Sequence, residues 1–384
     1  IKYPPALEYE CFRAQALGGG CSVGDQLPPR GKLDEGAYRL IGAVFRKVEQ
    51  AEGFYAGSRP CPRVGIVTTG HPDNEGSPLA EAAEEGAVKL CEEARYDCAV
   101  IDDSADLDKF EAILLPDTVK VTEALAENLR TFRNKGGKIL LSGESGRDVT
   151  GTWRLPFLPV RPVGKEPVHP TYWRGMTGLT DGEGGEDDRV IYLQGERLEQ
   201  EGTLTVFARR VLPYFQRTDA AFCSHFQAPP RAEADEWPAI LGDDRTVAFA
   251  DPVFAEFRRF APPHIKTAFA GCMRRLIGPP WLGADLPPSV ELYPRRKDND
   301  LLLTLLRYLP TRKATDIDII DEALSFAGLS LKLSSDIKAP FTHPDCGPLQ
   351  QRADGSYGLP DDQGRILLTI PDWFTPAPSS TRVD

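Results

Sequence analysis

The sequence predicts an α/β chain in three consecutive parts: a βα unit over residues 1–57, a doubly wound parallel sheet over 61–278 and a small antiparallel β-sandwich over 285–375. Three observations carry this reading. Between residues 63 and 143, apolar strand-like runs alternate with amphipathic helix patterns, the mark of a parallel sheet. From about residue 287 the helix patterns stop, and short β runs with Asp354-Gly355 and Asp362-x-Gly364 turns take over. Proline-rich joints at 58–62 and at Gly278-Pro279-Pro280 separate the parts. A length of 384 residues fits two or three domains at about 150 residues each.

Residues 5–17 read as a weak helix, stopped by Gly18-Gly19-Gly20. Residues 21–24 read as a short buried strand leading into a proline loop. Asp34 is placed as an N-cap, with Leu33 and Tyr38 spaced as a hydrophobic staple. Tyr38, Ile41, Val44, Phe45 and Val48 recur at helical spacing, which predicts a helix over about 34–52. In the second part, strands are expected at 64–68, 98–101, 112–115 and 139–141. One helix face is marked by Leu79, Ala83, Ala87, Leu90, Cys91 and Ala94, and another by Leu125, Leu129 and Phe132 ahead of Gly136-Gly137.

Residues 147–200 are rich in Gly, Pro and charge, with an exposed loop expected at 181–188. Strand signals return at 203–208 and 245–250, followed by a helix over about 253–277. The last part carries β runs at 289–293, 301–309, 315–319, 329–333 and 366–370.

Forty-five Lys and Arg against 57 Asp and Glu leave a net charge of −12. That balance speaks against nucleic acid as the main partner and against docking on an anionic membrane. No apolar run reaches the roughly 18 residues of a membrane helix. The chain opens on Ile1 without a signal-peptide pattern, and its eight cysteines form no C-x-x-C pair, so free thiols and a cytoplasmic setting are expected.

Glycines 18, 19, 20 and 24 precede a strand and a proline loop, whereas a phosphate cradle must follow a strand and open a helix. No nucleotide or other cofactor is expected. The histidines, at 71, 169, 225, 264 and 343, form no H-x-x-x-H pair, so no metal site is expected either. The turn Ser142-Gly143-Glu144-Ser145-Gly146 stands where related hydrolase sheets carry a nucleophile elbow, but its central residue is Glu144. The elbow therefore reads as catalytically empty. Cys223-Ser224-His225 is the one close pairing of Cys with His. His225 is a candidate sugar-contacting or interface group, against the plainer reading of a structural histidine. Asp25 and Gln26 follow the expected first strand, the position of an active-site loop in a β/α barrel. Tyr172, Trp173, Trp237, Trp281 and Tyr293 are candidate sugar platforms, with core packing as the alternative. Adjacent acids such as Asp102-Asp103 and Asp187-Asp188 read as solvated edges, because glycosidase carboxylates face each other across a bond.

The run from Gly19 through Asp34, with Tyr38, Ile41-Gly42 and Val48-Glu49, resembles the last strand and helix of the catalytic barrel in α-L-fucosidase-like glycoside hydrolases. Ile113–Asp117, Gly136–Gly146 and Phe222–His225 resemble the β-galactosidase-type trimerisation domain that follows such a barrel. Asp251-Pro252-Val253-Phe254 resembles its closing segment, and Pro288-Ser289-Val290 with Leu305–Pro310 the terminal β domain. The resemblance implies a flavodoxin- or amidotransferase-like sheet without amidotransferase chemistry, preceded by a βα remnant of a TIM barrel. It further implies a homo-oligomer, a trimer, whose second domain helps close a neighbour's carbohydrate pocket. The family's nucleophile and general acid lie on earlier barrel strands that match no position here. Asp25 and Gln26 are carried over only as pocket-lining residues.

Three readings follow. The chain is the assembly and substrate-pocket portion of a hydrolase of terminal fucosides or galactosides. Alternatively, it is a hydrolase or transferase using Ser142, Ser145 or Cys223 with His225, or a non-catalytic sugar-binding scaffold.

Overall fold

The computed structural model describes residues 2–26, 28–70, 74, 76–180, 187–283, 286–333 and 341–374. His71 and most of the loop expected at 181–188 lie outside the described residues. The chain forms two compact units: Ile1–Cys61 with Trp281–Asp384, and Pro62–Pro280. The first and third expected parts thus belong to one unit.

The elements in chain order are α1 (Pro4–Leu17), α2 (Glu35–Tyr55), β1 (Arg59–Pro60), β2 (Val64–Val67), α3 (Pro78–Ala94), β3 (Cys98–Ile101), β4 (Ala112–Leu115), α4 (Glu123–Asn134) and β5 (Lys138–Ser142). Then come β6 (Val160–Lys165), β7 (Thr171–Gly175), β8 (Arg189–Ile191), β9 (Glu196–Gln200), β10 (Thr205–Val211), β11 (Pro238–Gly242), β12 (Thr246–Phe249), α5 (Val253–Phe260) and α6 (Pro263–Ile277). The chain continues through β13 (Glu291–Lys297), β14 (Asp300–Leu306), β15 (Thr311–Arg312), β16 (Asp318–Ile319), β17 (Ser330–Leu331), β18 (Thr342–His343), β19 (Gly347–Pro348), β20 (Tyr357–Gly358) and β21 (Arg365–Ile370).

In the Pro62–Pro280 unit, nine strands form one mixed sheet in the order β3-β2-β4-β5-β12-β11-β10-β7-β8. The first five are parallel and the rest antiparallel. Ala112 and Leu114 enter one core with α3, α5 and α6, while Ile113 and Leu115 enter another with α4. That alternation along β4 covers both sheet faces with helices. Ser77 caps α3 by accepting the Ala80 amide, and Thr122 caps α4 by accepting that of Leu125.

The expectation of a wholly parallel sheet is corrected here. Apart from β10, expected at 203–208, the antiparallel half comes from segments whose charge and turn residues hid their strands. Thr171–Gly175 and Arg189–Ile191 carry no alternating pattern, and Glu196–Gln200, whose residues alternate in burial, pairs with β6 in a separate two-stranded sheet. The helix expected over 253–277 is also two helices. Ala261, at φ 47°, ends α5, and Pro262-Pro263 supply no N–H with which to continue it.

In the other unit, β1-β13-β14-β21-β18-β19 form an antiparallel sheet. Leu301, Leu303 and Leu305 of β14, with Ile366, Leu368 and Ile370 of β21, face a core completed by Phe326, Leu331, Phe341 and Tyr357. Tyr293 and Leu306 join Leu7, Cys11 and Phe12 of α1 and Val44 and Val48 of α2 in a second core. Asp34 caps α2 as expected, taking the amides of Gly36 at 2.8 Å and Ala37 at 3.0 Å.

The strand expected at 21–24 does not form. The three glycines before it favour turns, and no partner strand is present among the described residues to complete a ladder. Cys21 and Val23 instead pack partly buried against the helices. This first segment is therefore a helix pair rather than a βα unit, and its apolar faces are buried against Tyr293, Leu306 and Tyr308.

Candidate functional site

At the carboxyl edge of the parallel strands, the turn after β5 is locked from within. Ser142 Oγ donates to Asp117 Oδ1 at 2.5 Å and accepts the Asp117 amide at 3.0 Å. Ser145 Oγ accepts the Val119 amide at 3.0 Å. Both serines are 1% exposed, so neither hydroxyl is presented to a substrate. Glu144, at the elbow's centre, bonds Lys165 Nζ at 2.6 Å, and its amide donates to Asp117 O at 2.7 Å. Lys165, with help from Lys120 and Arg147, holds its carboxyl below the ordinary range against the opposing effect of burial. The turn is thus a packing joint.

Asp117 also seats α5. Its Oδ2 accepts the Ala255 amide at 2.7 Å. Burial pushes its carboxyl up to about 6, against the lowering effect of Ser142 and the helix amides. Glu256, on α5, accepts the amides of Tyr192 at 2.9 Å and Leu193 at 2.8 Å from wholly within the core. Burial pushes it up to about 7, with Asp251 and Asp117 adding to the rise.

These raised values fix the sign of a pH effect. Near pH 3 the two carboxyls are protonated in the folded and unfolded chain alike. As pH rises toward 7 the unfolded chain releases those protons before the folded chain does, so their contribution to stability falls. His264 works the other way. Burial lowers its imidazole to about 4, and keeping it neutral becomes less costly as pH rises toward its unfolded value. The clean readout is therefore a difference. Glu256→Gln is expected to gain on the parent by roughly 2–3 kcal/mol as pH goes from 5 to 8. Urea unfolding at both pH values measures this, and parallel pH profiles would sink the assignment.

The exposed chemistry lies elsewhere, on the excursion between β10 and β11. Its base is fastened by Tyr214 N to Pro229 O and Arg231 N to Leu212 O, both 2.9 Å, and by Tyr172 Oη to Ala228 O at 2.6 Å. A turn closes Thr218 onto Ala221 at 2.8 Å. Beyond this base, Tyr214 is 60%, Phe222 72% and Phe226 65% exposed. Large aromatics left in water on a pinned loop mark an interaction surface. His169, Gln216, Arg217, Asp219, Phe222 and Phe226 line an open cleft of about 590 Å³ there. The Tyr192 ring, 6.2 Å from Phe226 and 4.9 Å from Phe260, ties this edge to α5. Aromatic faces beside amide, carboxylate and guanidinium groups are the chemistry that holds a sugar ring or a polar protein surface.

His225 sits on this loop, exposed between Phe222 and Phe226 in sequence. Cys223 Sγ donates to the carbonyls of Gln227 (3.3 Å) and His225 (3.5 Å), so the thiol is engaged with backbone rather than with the imidazole. The structure does not join His225 to Ser142 or Ser145, whose hydroxyls are engaged by Asp117 and Val119. Asp25 and Gln26 are exposed in the strandless segment, where Asp25 Oδ1 accepts the Gln26 amide at 2.9 Å. Of the aromatic candidates, Tyr172, Trp173 and Tyr293 are buried and do not face solvent. Trp237 lies half-buried, with the Arg197 guanidinium 5.8 Å from its ring, and Trp281 packs 5.9 Å from Trp373. The lining role of His169, Gln216 and Asp219 was not legible, because their positions are separated in sequence and joined only by the fold.

Among the described residues no group of three or more His, Cys, Asp or Glu stands together as a metal-binding set. No described helix is long and apolar enough to cross a membrane.

No protein-family model matches the sequence, and no curated protein matches it in sequence. Solved structures do. An α-L-fucosidase, isoenzyme 2 from Paenibacillus thiaminolyticus, is 25% identical with a TM-score of 0.85, over 96% of this chain and 57% of its own. A β-galactosidase from Bacillus circulans sp. alkalophilus is 14% identical with a TM-score of 0.66, over 96% and 52%. A GH42 β-galactosidase from G. stearothermophilus is 12% identical with a TM-score of 0.60, over 96% and 51%. The chain spans about half the length of these proteins, and its fold is one found in glycoside hydrolases.

Proposed function

We propose that this chain is the assembly and substrate-pocket portion of a glycoside hydrolase acting on terminal fucosides or galactosides. The carrying observation is the overlay with the fucosidase, which accounts for 96% of this chain and leaves over two-fifths of the fucosidase unmatched. On this reading the nucleophile and acid belong to the unmatched part. The β3-β2-β4-β5-β12 half is then the doubly wound, amidotransferase-like sheet of a trimerisation domain, and the 291–370 region the terminal β domain. The empty elbow at Glu144 agrees with this, because its flanking serines are buried in backbone contacts. The exposed loop carrying Phe222, His225 and Phe226 then closes a carbohydrate pocket on a second copy, and Asp25 and Gln26 line the pocket from the barrel side.

The test is a panel of nitrophenyl glycosides, α-L-fucoside and β-D-galactoside first, beside light scattering on the same sample. No turnover with a defined oligomer, a trimer, is the expected result. Saturable turnover by this chain, or a monomer at micromolar concentration, overturns the reading. The open cleft at His169 and Phe222 favours a second reading, direct sugar binding without assembly. Calorimetric titration of a monomer with fucose or galactose would identify it.

A further inference from the structure

Two cysteines that no glycosidase chemistry requires are held in contact in the first segment. Cys11 lies on the buried face of α1 at 5% exposure, and Cys21 is half-buried in the segment that follows. The helix ends at Gly18 in the left-handed region, φ 91°, with Gly18 N on Gln15 O at 2.9 Å and Gly19 N on Ala14 O at 2.8 Å. That cap turns the chain back along its own helix. Cys21 Sγ then donates to Cys11 O at 3.2 Å, which holds Cys21 beside Cys11. Nothing stands within 4 Å of the place a Cβ would occupy on Gly20, so the chain just before Cys21 is not packed in at that point.

We propose that Cys11 and Cys21 are a thiol–disulfide site, oxidised by a low-molecular-weight disulfide, which staples the Asp25–Gln26 segment to α1. Cys21 is the entry point because its side chain is the more exposed. Burial and the neighbouring Cys21 push the Cys11 thiol up to about 11, so Cys11 enters second. In the first step the Cys21 thiolate attacks one sulfur of the small disulfide. A mixed disulfide forms, and one small thiol leaves with the Cys21 proton. In the second step the Cys11 sulfur attacks Cys21 Sγ, loses its proton and displaces the second small thiol. The protein gives up two electrons and two hydrogens, and the small disulfide becomes two thiols.

Cys91 and Cys98 are a second pair of free cysteines on neighbouring elements, α3 and β3, but Cys91 is wholly enclosed. That pair serves as an internal comparison. The inference is independent of any role in glycoside hydrolysis, so either can fail alone.

The test is incubation of the full chain with oxidised glutathione, trapping with N-ethylmaleimide and peptide mass mapping. The expected result is loss of two of the eight thiols, in a cross-linked Cys11–Cys21 peptide pair lighter by two hydrogens. Cys11→Ala is expected to leave Cys21 as a stable glutathione adduct, and Cys21→Ala to leave Cys11 unmodified. A Cys21 adduct that persists in the parent chain overturns the proposal. So does a cross-link that forms only in urea, or one at Cys91–Cys98 in its place. If Cys11→Ala does not fold, the parent's mass map carries the test alone.

Discussion

Arg210→Ala is expected to lower the unfolding free energy of the Pro62–Pro280 unit by about 3–5 kcal/mol. Arg210 is 0% exposed at the centre of a buried chain of charges. Trp173 Nε1 donates to Asp251 Oδ2 at 2.6 Å, and Arg210 Nη2 to Asp251 Oδ1 at 2.8 Å. On the other side, Arg210 Nη1 is 3.6 Å from Glu166 Oε2, which Arg197 Nε reaches at 3.0 Å. Two anions and two cations thus balance. Removing Arg210 leaves Asp251, itself 0% exposed, without a counter-charge. The backbone closes over that carboxylate, since a Cβ on Gly195 would stand 1.9 Å from Asp251 Oδ1.

Because the cost comes from the stranded partner, the double variant Arg210→Ala/Asp251→Ala should cost less than the two single changes together. Arg161→Ala is the matching surface change, in a pair more than half exposed on the arginine side, and should cost less than about 1 kcal/mol. Urea denaturation of the four variants measures the set. A cost for Arg210→Ala no larger than for Arg161→Ala would mean that water reaches the cluster.

Gly86→Ala should also be strongly destabilising, against the helix propensity that by itself favours Ala over Gly by about 1 kcal/mol. Gly86 lies inside α3 where that helix packs on α5, and a Cβ there would stand 2.0 Å from the Phe254 carbonyl oxygen. Backbone cannot move aside as a side chain can, so the two helices must separate. That opens the core shared by Ala83, Ala87, Phe254 and Phe257. Overpacking of a tight core typically costs about 1–3 kcal/mol, and a backbone clash of this depth belongs at or above the upper end. Gly53→Ala in α2, where nothing lies within 4 Å of the added carbon, should instead be neutral or mildly stabilising. A thermal melt in which Gly86→Ala matches the parent would show that the helices separate without penalty.

The elements that were legible are those whose signal is local. Asp34 announces α2 because a short acceptor can reach the free amides of the first helical turn, and it does so on Gly36 and Ala37. Cys98–Ile101 and Ala112–Leu115 are strands at the residues expected, because a short apolar run bounded by turn residues reads as a strand, partly buried at the sheet edge in the first case and wholly buried at its centre in the second. The illegible elements depend on partners distant in sequence. β7 is a strand because Trp173 pairs with Arg210 and Arg174 with Arg209 of β10, and its own segment carries no clean alternating pattern. β10 itself forms at Thr205–Val211, where a strand is expected at 203–208. Residues 21–24 had the composition of a strand and lacked a partner to complete one.

The candidate site divides in the same way. The sequence singled out His225, Asp25 and Gln26 from local context, and it identified the turn at Glu144 as unsuited to a nucleophile. It could not reveal that Phe222 and Phe226 stay in water, because an apolar residue reads the same on either side of a surface. Nor could it reveal that Ser142 and Ser145 are sealed by Asp117 and Val119, contacts spanning about 25 positions.

By itself, then, the sequence determined the parallel half-sheet, the capped helices and the acidic character of the chain. Each rests on periodicity, capping or charge within a few residues. Only the tertiary structure decided the antiparallel extension, the seating of α1 and α2 on the terminal sheet, the buried Asp251–Arg210–Glu166 chain and the exposed aromatic loop. Those depend on which distant surfaces meet, and burial is a property of the pair rather than of either segment.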